Sequence, residues 1–200
     1  MRKLIVLGVL IGCFGSMGFI FWQQELQYVL PTPLPPNYSS IAINQQISLP
    51  ASFPAKQALY FHFFNPDCPC SRFNLKHFKS LTNQFNEKVK IYAVIPAYAD
   101  VQQATEMIDD DRVTILQDKD DQLASACGVY STPQAVVLDV SQKLFYRGNY
   151  NKTRYCTLKE SNYAEMALQA LVNGEAPPAF NAFATQSYGC QLPTDQDLTF

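Results

Sequence analysis

From residue 57 onward, short apolar runs alternate with stretches in which apolar positions recur every three or four residues. "QALYFHFFN", residues 57–65, is aromatic-rich without helical spacing and reads as a buried strand. In "PCSRFNLKHFKSLTNQFNE", which follows shortly after, Leu75, Phe78, Leu81 and Phe85 fall on one helical face. "VKIYAVIPA", residues 89–97, is a second strand, "DVQQATEMIDD" a helix, and "VTILQD", residues 113–118, a third strand. "KDDQLASACGV" is a short helix ending at Gly128, and "QAVVLDVSQKLFYRG" a hairpin turning near Ser141. "ESNYAEMALQALVNG", residues 160–174, is an amphipathic helix closed by Gly174. Strands alternating with helices, then a hairpin and a closing helix, describe a three-layer α/β domain.

The first residues follow another pattern. "MRKLIVLGVLIGCFGSMGFIFWQQ" opens on Arg2 and Lys3 and then stays apolar from Leu4 to Trp22. As a helix this run is about 28 Å long, which just crosses a hydrocarbon core. Arg2 and Lys3 hold the N-terminus inside, so the rest of the chain faces outward, and Trp22 sits where an interfacial anchor would. Two other readings stay open. A cleaved signal normally has a shorter apolar stretch, and Leu10-Ile11-Gly12-Cys13 has the form of a lipidation site, although "FGSMGFIFW" stays apolar after Cys13. "LPTPLPPNYSS", residues 30–40, holds four prolines and reads as a stiff, extended spacer. The expected organisation is therefore an anchor or signal over 1–24, a Pro-rich linker over 25–40 and a domain with a C-terminal extension over 41–200.

Composition narrows the function. A chain of 200 residues with 48% hydrophobic and 13% aromatic residues is globular. A net charge of −2 gives no electrostatic footprint for nucleic acid. Export changes how the cysteines read, because disulfides persist outside the cytosol. Cys68, Cys70, Cys127, Cys156 and Cys190 lie beyond the apolar segment, and an odd number leaves at least one thiol unpaired within the chain.

Cys68-Pro69-Cys70 falls where the first strand stops and the first amphipathic helix begins. Proline suits the first helical position, which puts the Cys68 thiol at a helix N-terminus. There unpaired N–H groups and the helix dipole stabilise a thiolate, the nucleophile of disulfide exchange. Asp67 opposes this with a nearby negative charge. Cys70, two positions on, lies close enough at a first turn for a strained, readily reduced ring with Cys68.

Strand, then Asp67-Cys68-Pro69-Cys70-Ser71 opening a helix, then "VTILQDKDDQLASACGVYSTPQAVVLD", resembles the thioredoxin superfamily, in particular the membrane-anchored redoxin-type proteins of bacteria. The similarity covers about residues 50–175. It implies a thioredoxin-like α/β fold, a central mixed sheet with helices on both faces, preceded here by one N-terminal membrane segment. Gly128-Val129-Tyr130-Ser131-Thr132-Pro133 matches the family's second motif. The resemblance implies that Pro133 is cis and faces Cys68, and that Thr132 and Pro133, with Tyr130, contact an extended substrate strand. The family's second cysteine is replaced by Ser71, so the resolving role passes to Cys70 by chemistry alone.

The reading that follows is an exported, membrane-tethered thiol–disulfide oxidoreductase with Cys68 and Cys70 catalytic and no cofactor. Its partners would be protein thiols or disulfides outside the cytoplasm. Its place would be the inner membrane, single-pass, with the domain facing the periplasm or exterior. Cys156 and Cys190 lie in polar surroundings near the domain end and are expected to form a disulfide pinning the tail, with one of them as a resolving partner for Cys68 as the sharper option. Cys127 reads as a small buried residue and His62 as a buried histidine with its hydrogen bonds made. Two alternatives remain: a Cu(I) metallochaperone, since soft thiolates favour that ion, and a thiol peroxidase-like redoxin. The lack of a histidine near "STPQAV" opposes the first, and Asn65 in place of threonine three residues before Cys68 opposes the second.

Overall fold

The computed structural model describes residues 2–24, 30–36, 38–49, 53–54, 56–153 and 155–192. Helix α1 is Arg2–Gln24, and its Arg2–Gln23 portion is long and apolar enough to cross a membrane. The remaining elements are β1 (Leu59–Phe63), α2 (Pro69–Phe85), β2 (Lys90–Pro96), α3 (Val101–Ile108), β3 (Thr114–Asp118) and α4 (Gln122–Cys127), followed by β4 (Ser131–Thr132), β5 (Gln134–Leu138), β6 (Leu144–Gly148), α5 (Tyr163–Val172), α6 (Ala182–Thr185) and β7 (Cys190–Gln191). Residues 193–200, the end of the expected C-terminal extension, lie outside the described residues.

Five strands form one sheet in the order β3-β2-β1-β5-β6. β1 and β2 run parallel, as do β2 and β3, whereas β5 is antiparallel to both β1 and β6. The aromatic run of β1 occupies the centre, which is why it reads as continuously apolar: alternate side chains feed two separate cores. Tyr60 and Phe64 join Phe78, Leu81 and Phe85 of α2 and Leu168 of α5 on one face. Leu59, Phe61 and Phe63 join Leu123 of α4, Val136 and Leu144 on the other. Burying one such aromatic or leucine contributes about 1.5–3 kcal/mol. Mixed sheet, helices on both faces and a cis peptide at Thr132-Pro133 make this a thioredoxin-like fold.

Helix ends follow local chemistry. Asp100 caps α3, accepting hydrogen bonds from the N–H groups of Gln102 at 2.8 Å and Gln103 at 3.3 Å. The buried Asp118 carboxylate accepts from Leu123 N–H at 2.8 Å and Ala124 N–H at 2.7 Å at the start of α4. Gly128 ends α4 at φ 69°, the left-handed cap glycine favours.

The two ends of the domain depart from the expected picture. Part of the proline-rich spacer is built into the domain: Thr32 is buried and its N–H donates to Ser187 O at 2.9 Å, while Pro31 bridges to Tyr188. Tyr38 stacks edge-on against Tyr130, and its hydroxyl donates to Gly128 O at 3.1 Å. The tail forms an additional strand, β7, that pairs antiparallel with β4, matching Thr132 with Cys190 and Ser131 with Gln191.

Candidate functional site

The turn between β1 and α2 is set by two short-range bonds. Asn65 Oδ1 accepts from Asp67 N–H at 3.0 Å, and Asn65 O accepts from Cys68 N–H at 3.0 Å. This Asx-type turn delivers Cys68 to the N-cap of α2 with extended dihedrals, followed by Pro69 at the first helical position. No side chain caps this helix start. Ser71, at the family's second-cysteine position, is buried, and its hydroxyl accepts from Asn65 N–H at 3.2 Å. It fastens the turn.

Cys68 is bonded to Cys190, with Cα atoms 6.2 Å apart and 122 residues between them. The expected Cys156–Cys190 bridge is therefore corrected. β7 carries Cys190 to the N-terminus of α2, because its partner β4 ends beside cis-Pro133, and Cys156 keeps its thiol. A Cys68–Cys70 ring is likewise not formed, and Cys70 stays buried outside the disulfide. The Cys68 sulfur lies 3.8 Å from the Thr132 carbonyl oxygen. While bridged it carries no proton, so this is a van der Waals approach and becomes available as a hydrogen bond only in the thiol form. Thr132 thus stands against Cys68, and the cis Thr132-Pro133 peptide follows directly after it in the chain.

The sulfurs of Cys68, Cys70 and Cys190 all lie within 4.8 Å of one another and are the group of potential metal ligands among the described residues. Three sulfurs at that distance suit either successive disulfide exchange or a soft ion. In β4 and β5, the side-chain oxygens of Ser131, Thr132 and Gln134 (Oγ, Oγ1 and Oε1) are buried without hydrogen-bond partners.

The other candidates gather elsewhere. His62 is sandwiched between Phe64 and Phe78, whose ring centroids lie 5.1 and 4.1 Å away. Its Nδ1 is 2.7 Å from the Tyr150 hydroxyl, which in turn is 2.6 Å from the Tyr60 hydroxyl. Its Nε2 has no partner, so the expectation of full satisfaction holds on one side of the ring only. Burial pushes the imidazole down to about 3 and keeps it neutral. Cys156 accepts from Asn74 Nδ2 at 3.2 Å, and burial pushes its thiol up to about 11. Cys127 is fully buried on the opposite face of the sheet, its thiol pushed up to about 12 by the same cause. Cys190 is the residue that sequence reasoning placed with the wrong partner. The tail's Gly189-Cys190 pair is the available signal, a glycine permitting close backbone approach beside a cysteine.

No curated protein sequence matches the chain. Among solved structures it is similar to a hypothetical protein from Sinorhizobium meliloti 1021, at 17% identity and a TM-score of 0.62, covering 77% of this chain and 95% of that one. It is also similar to an uncharacterized conserved protein from Geobacillus kaustophilus, at 21% identity and a TM-score of 0.59, covering 68% and 77% respectively. Both likenesses concern the fold. A third similarity, to MTB dsbF in its mixed oxidized and reduced forms, has 15% identity and a TM-score of 0.47 over 58% of this chain and 82% of that one. Residues 39–192 match the family described as Domain of unknown function (DUF6436), a span that includes both bridged cysteines and the strands that join them, and the chain belongs to that family.

Proposed function

We propose that the protein is a thiol–disulfide oxidoreductase, tethered to the inner membrane by α1 with its domain in the periplasm or exterior, acting on protein thiols and disulfides. The observation that carries this reading is the Cys68 sulfur at an uncapped helix N-terminus, bridged to Cys190 and set against Thr132 O beside cis-Pro133. In the dithiol form the helix end favours a Cys68 thiolate, which attacks a substrate disulfide and forms a mixed disulfide. Thr132 and Pro133 position the substrate backbone. Cys190, already placed to bond Cys68, resolves the intermediate, and Cys70 is a second thiol within reach. Arg2 and Lys3 at the start of α1 support the outward orientation of the domain.

Detergent-solubilised full-length protein equilibrated in graded glutathione buffers, alkylated and mapped by mass tests the reading. Cys68 and Cys190 should titrate together as a two-electron couple. Cys68→Ser should reduce turnover of a disulfide substrate to background, while Cys156→Ser leaves it unchanged. Undiminished turnover in Cys68→Ser defeats the proposal.

A second reading draws on the three clustered sulfurs: reduced protein holding one Cu(I) through Cys68, Cys70 and Cys190. It requires anaerobic Cu(I) uptake by the reduced chain to weaken in Cys190→Ser. Uptake equal to wild type eliminates it.

A further inference from the structure

β7 does not simply hold the tail down. It occupies the edge of β4 that ends at cis-Pro133, with Thr132 matched to Cys190 and Ser131 to Gln191. Several separate contacts keep it there. Leu192 N–H donates to Tyr130 O at 3.0 Å, Thr32 N–H to Ser187 O at 2.9 Å, and Thr32 Oγ1 to Gly189 O at 3.3 Å. Gln134 Nε2 also bonds Ser187 Oγ. At the centre, Gly189 adopts φ 144°. A Cβ added there would collide with the Thr132 carbonyl oxygen and lie 3.1 Å from the carbonyl carbon and 3.6 Å from Pro133 Cδ. The obstacle is buried backbone, which cannot rotate aside as a flexible side chain would. Position 189 is the residue immediately before the cysteine that bonds Cys68.

We infer that the β4 edge beside Pro133 is a strand slot with a steric filter, accepting glycine directly before the reacting cysteine, and that residues 187–192 are a resident strand which a Gly-Cys segment of a substrate protein replaces. This rests on Cys68 being the attacking sulfur of the proposed oxidoreductase. An external dithiol first reduces the Cys68–Cys190 bond, and both sulfurs gain protons. β7, no longer held by a covalent bond, yields the edge. The Cys68 thiolate then attacks the sulfur of the substrate's Gly-Cys disulfide. A Cys68–substrate bond forms, the substrate disulfide breaks, and the departing substrate thiolate takes a proton. Next the Cys190 thiolate attacks Cys68 Sγ, re-forms the internal disulfide and expels the first substrate sulfur, which is also protonated. Two electrons have passed from the protein dithiol to the substrate. The return of β7 to the slot displaces the product strand. Run backward, the same steps oxidise a substrate dithiol.

Two measurements on the full-length protein in detergent test this. Reduced protein is mixed with two synthetic disulfide-bearing peptides that differ only in Gly-Cys or Ala-Cys. The Gly-Cys peptide should be reduced at least about tenfold faster, in line with the cost of overpacking against fixed atoms. Equal rates overturn the filter while leaving the oxidoreductase intact, and no reaction with either peptide overturns both. Independently of any substrate, Gly189→Ala should lower the ratio of bridged to reduced Cys68–Cys190 by about tenfold or more at a fixed glutathione ratio. Thermal unfolding of the reduced variant, unchanged from wild type, keeps that result specific to the slot. A variant that bridges as readily as wild type overturns the inference whatever the peptides do.

Discussion

Helix α2 has two cysteine neighbourhoods, and they differ in nearly every property that governs thiol chemistry. At its N-terminus, Cys68 meets an uncapped helix start, a second and a third sulfur within 4.8 Å, and a strand edge whose occupant comes from the distant tail. Along its flank, Asn74 reaches Cys156 beside a sealed interior in which His62, Tyr150 and Tyr60 share a chain of hydrogen bonds. The first setting offers sulfur partners, although Cys68 and Cys70 are buried there. In the second, desolvation governs both the partly buried Cys156 and the buried His62, penalising the thiolate and the imidazolium alike. Being near the same helix does not make two cysteines equivalent. The helix end and the strand edge that β7 fills separate them.

Thiol labelling puts the comparison at greatest risk. With its thiol pushed up to about 11, Cys156 should react with iodoacetamide in the folded protein about 100-fold more slowly than in denatured protein at neutral pH, where an ordinary thiol governs the rate. Labelling at the denatured rate would mean that the flank is not sealed.

A second effect comes from His62. Its folded value, held near 3, lies below the ordinary 6.5 of the unfolded chain, so between those values the unfolded state binds the extra proton. The stability that depends on neutral His62 is complete above pH 6.5 and is lost as pH falls toward 3. The slope is about 1.4 kcal/mol per pH unit, or about 2 kcal/mol between pH 6.5 and 5. His77, lowered first by burial, adds in the same direction. Urea unfolding of wild type against His62→Gln isolates the His62 share. Parallel pH profiles in the two proteins would show that His62 reaches solvent.

A third effect, of similar size, is that of Tyr150→Phe, which removes the hydroxyl bonded to both His62 and Tyr60. Leaving those buried groups without it should cost about 1–3 kcal/mol in unfolding free energy. The Cys68–Cys190 equilibrium should stay put, and a shift there would join the two neighbourhoods that the comparison separates.

Much of the fold was legible in order. The strand at 57–65, the helix carrying Phe78, Leu81 and Phe85, the hairpin after Pro133 and the closing helix all stand where periodicity put them, because each is long enough to declare a period against one packed face. Leu75 is only partly buried at the margin of its core, a refinement that spacing alone does not reveal. At the site, Cys68 at a helix start and Thr132-Pro133 opposite it were readable as motifs, and the structure brings them together.

The partner of Cys68 was readable only as an alternative, one of Cys156 and Cys190, behind the expected Cys156–Cys190 bridge. Residues 190–191 form a strand of two, too short for any alternation, and the tail around them is placed by contacts with Thr32 and with Tyr130 and Gln134, drawn from two separate parts of the chain. Sequence by itself determined the α/β order, the apolar N-terminal helix and a cysteine at the head of α2, since these depend on neighbours within a few residues. Tertiary structure alone decided that Cys190, 122 residues away, bonds Cys68 and that Cys156 keeps its thiol beneath the helix, because a disulfide forms where the folded path brings two sulfurs together.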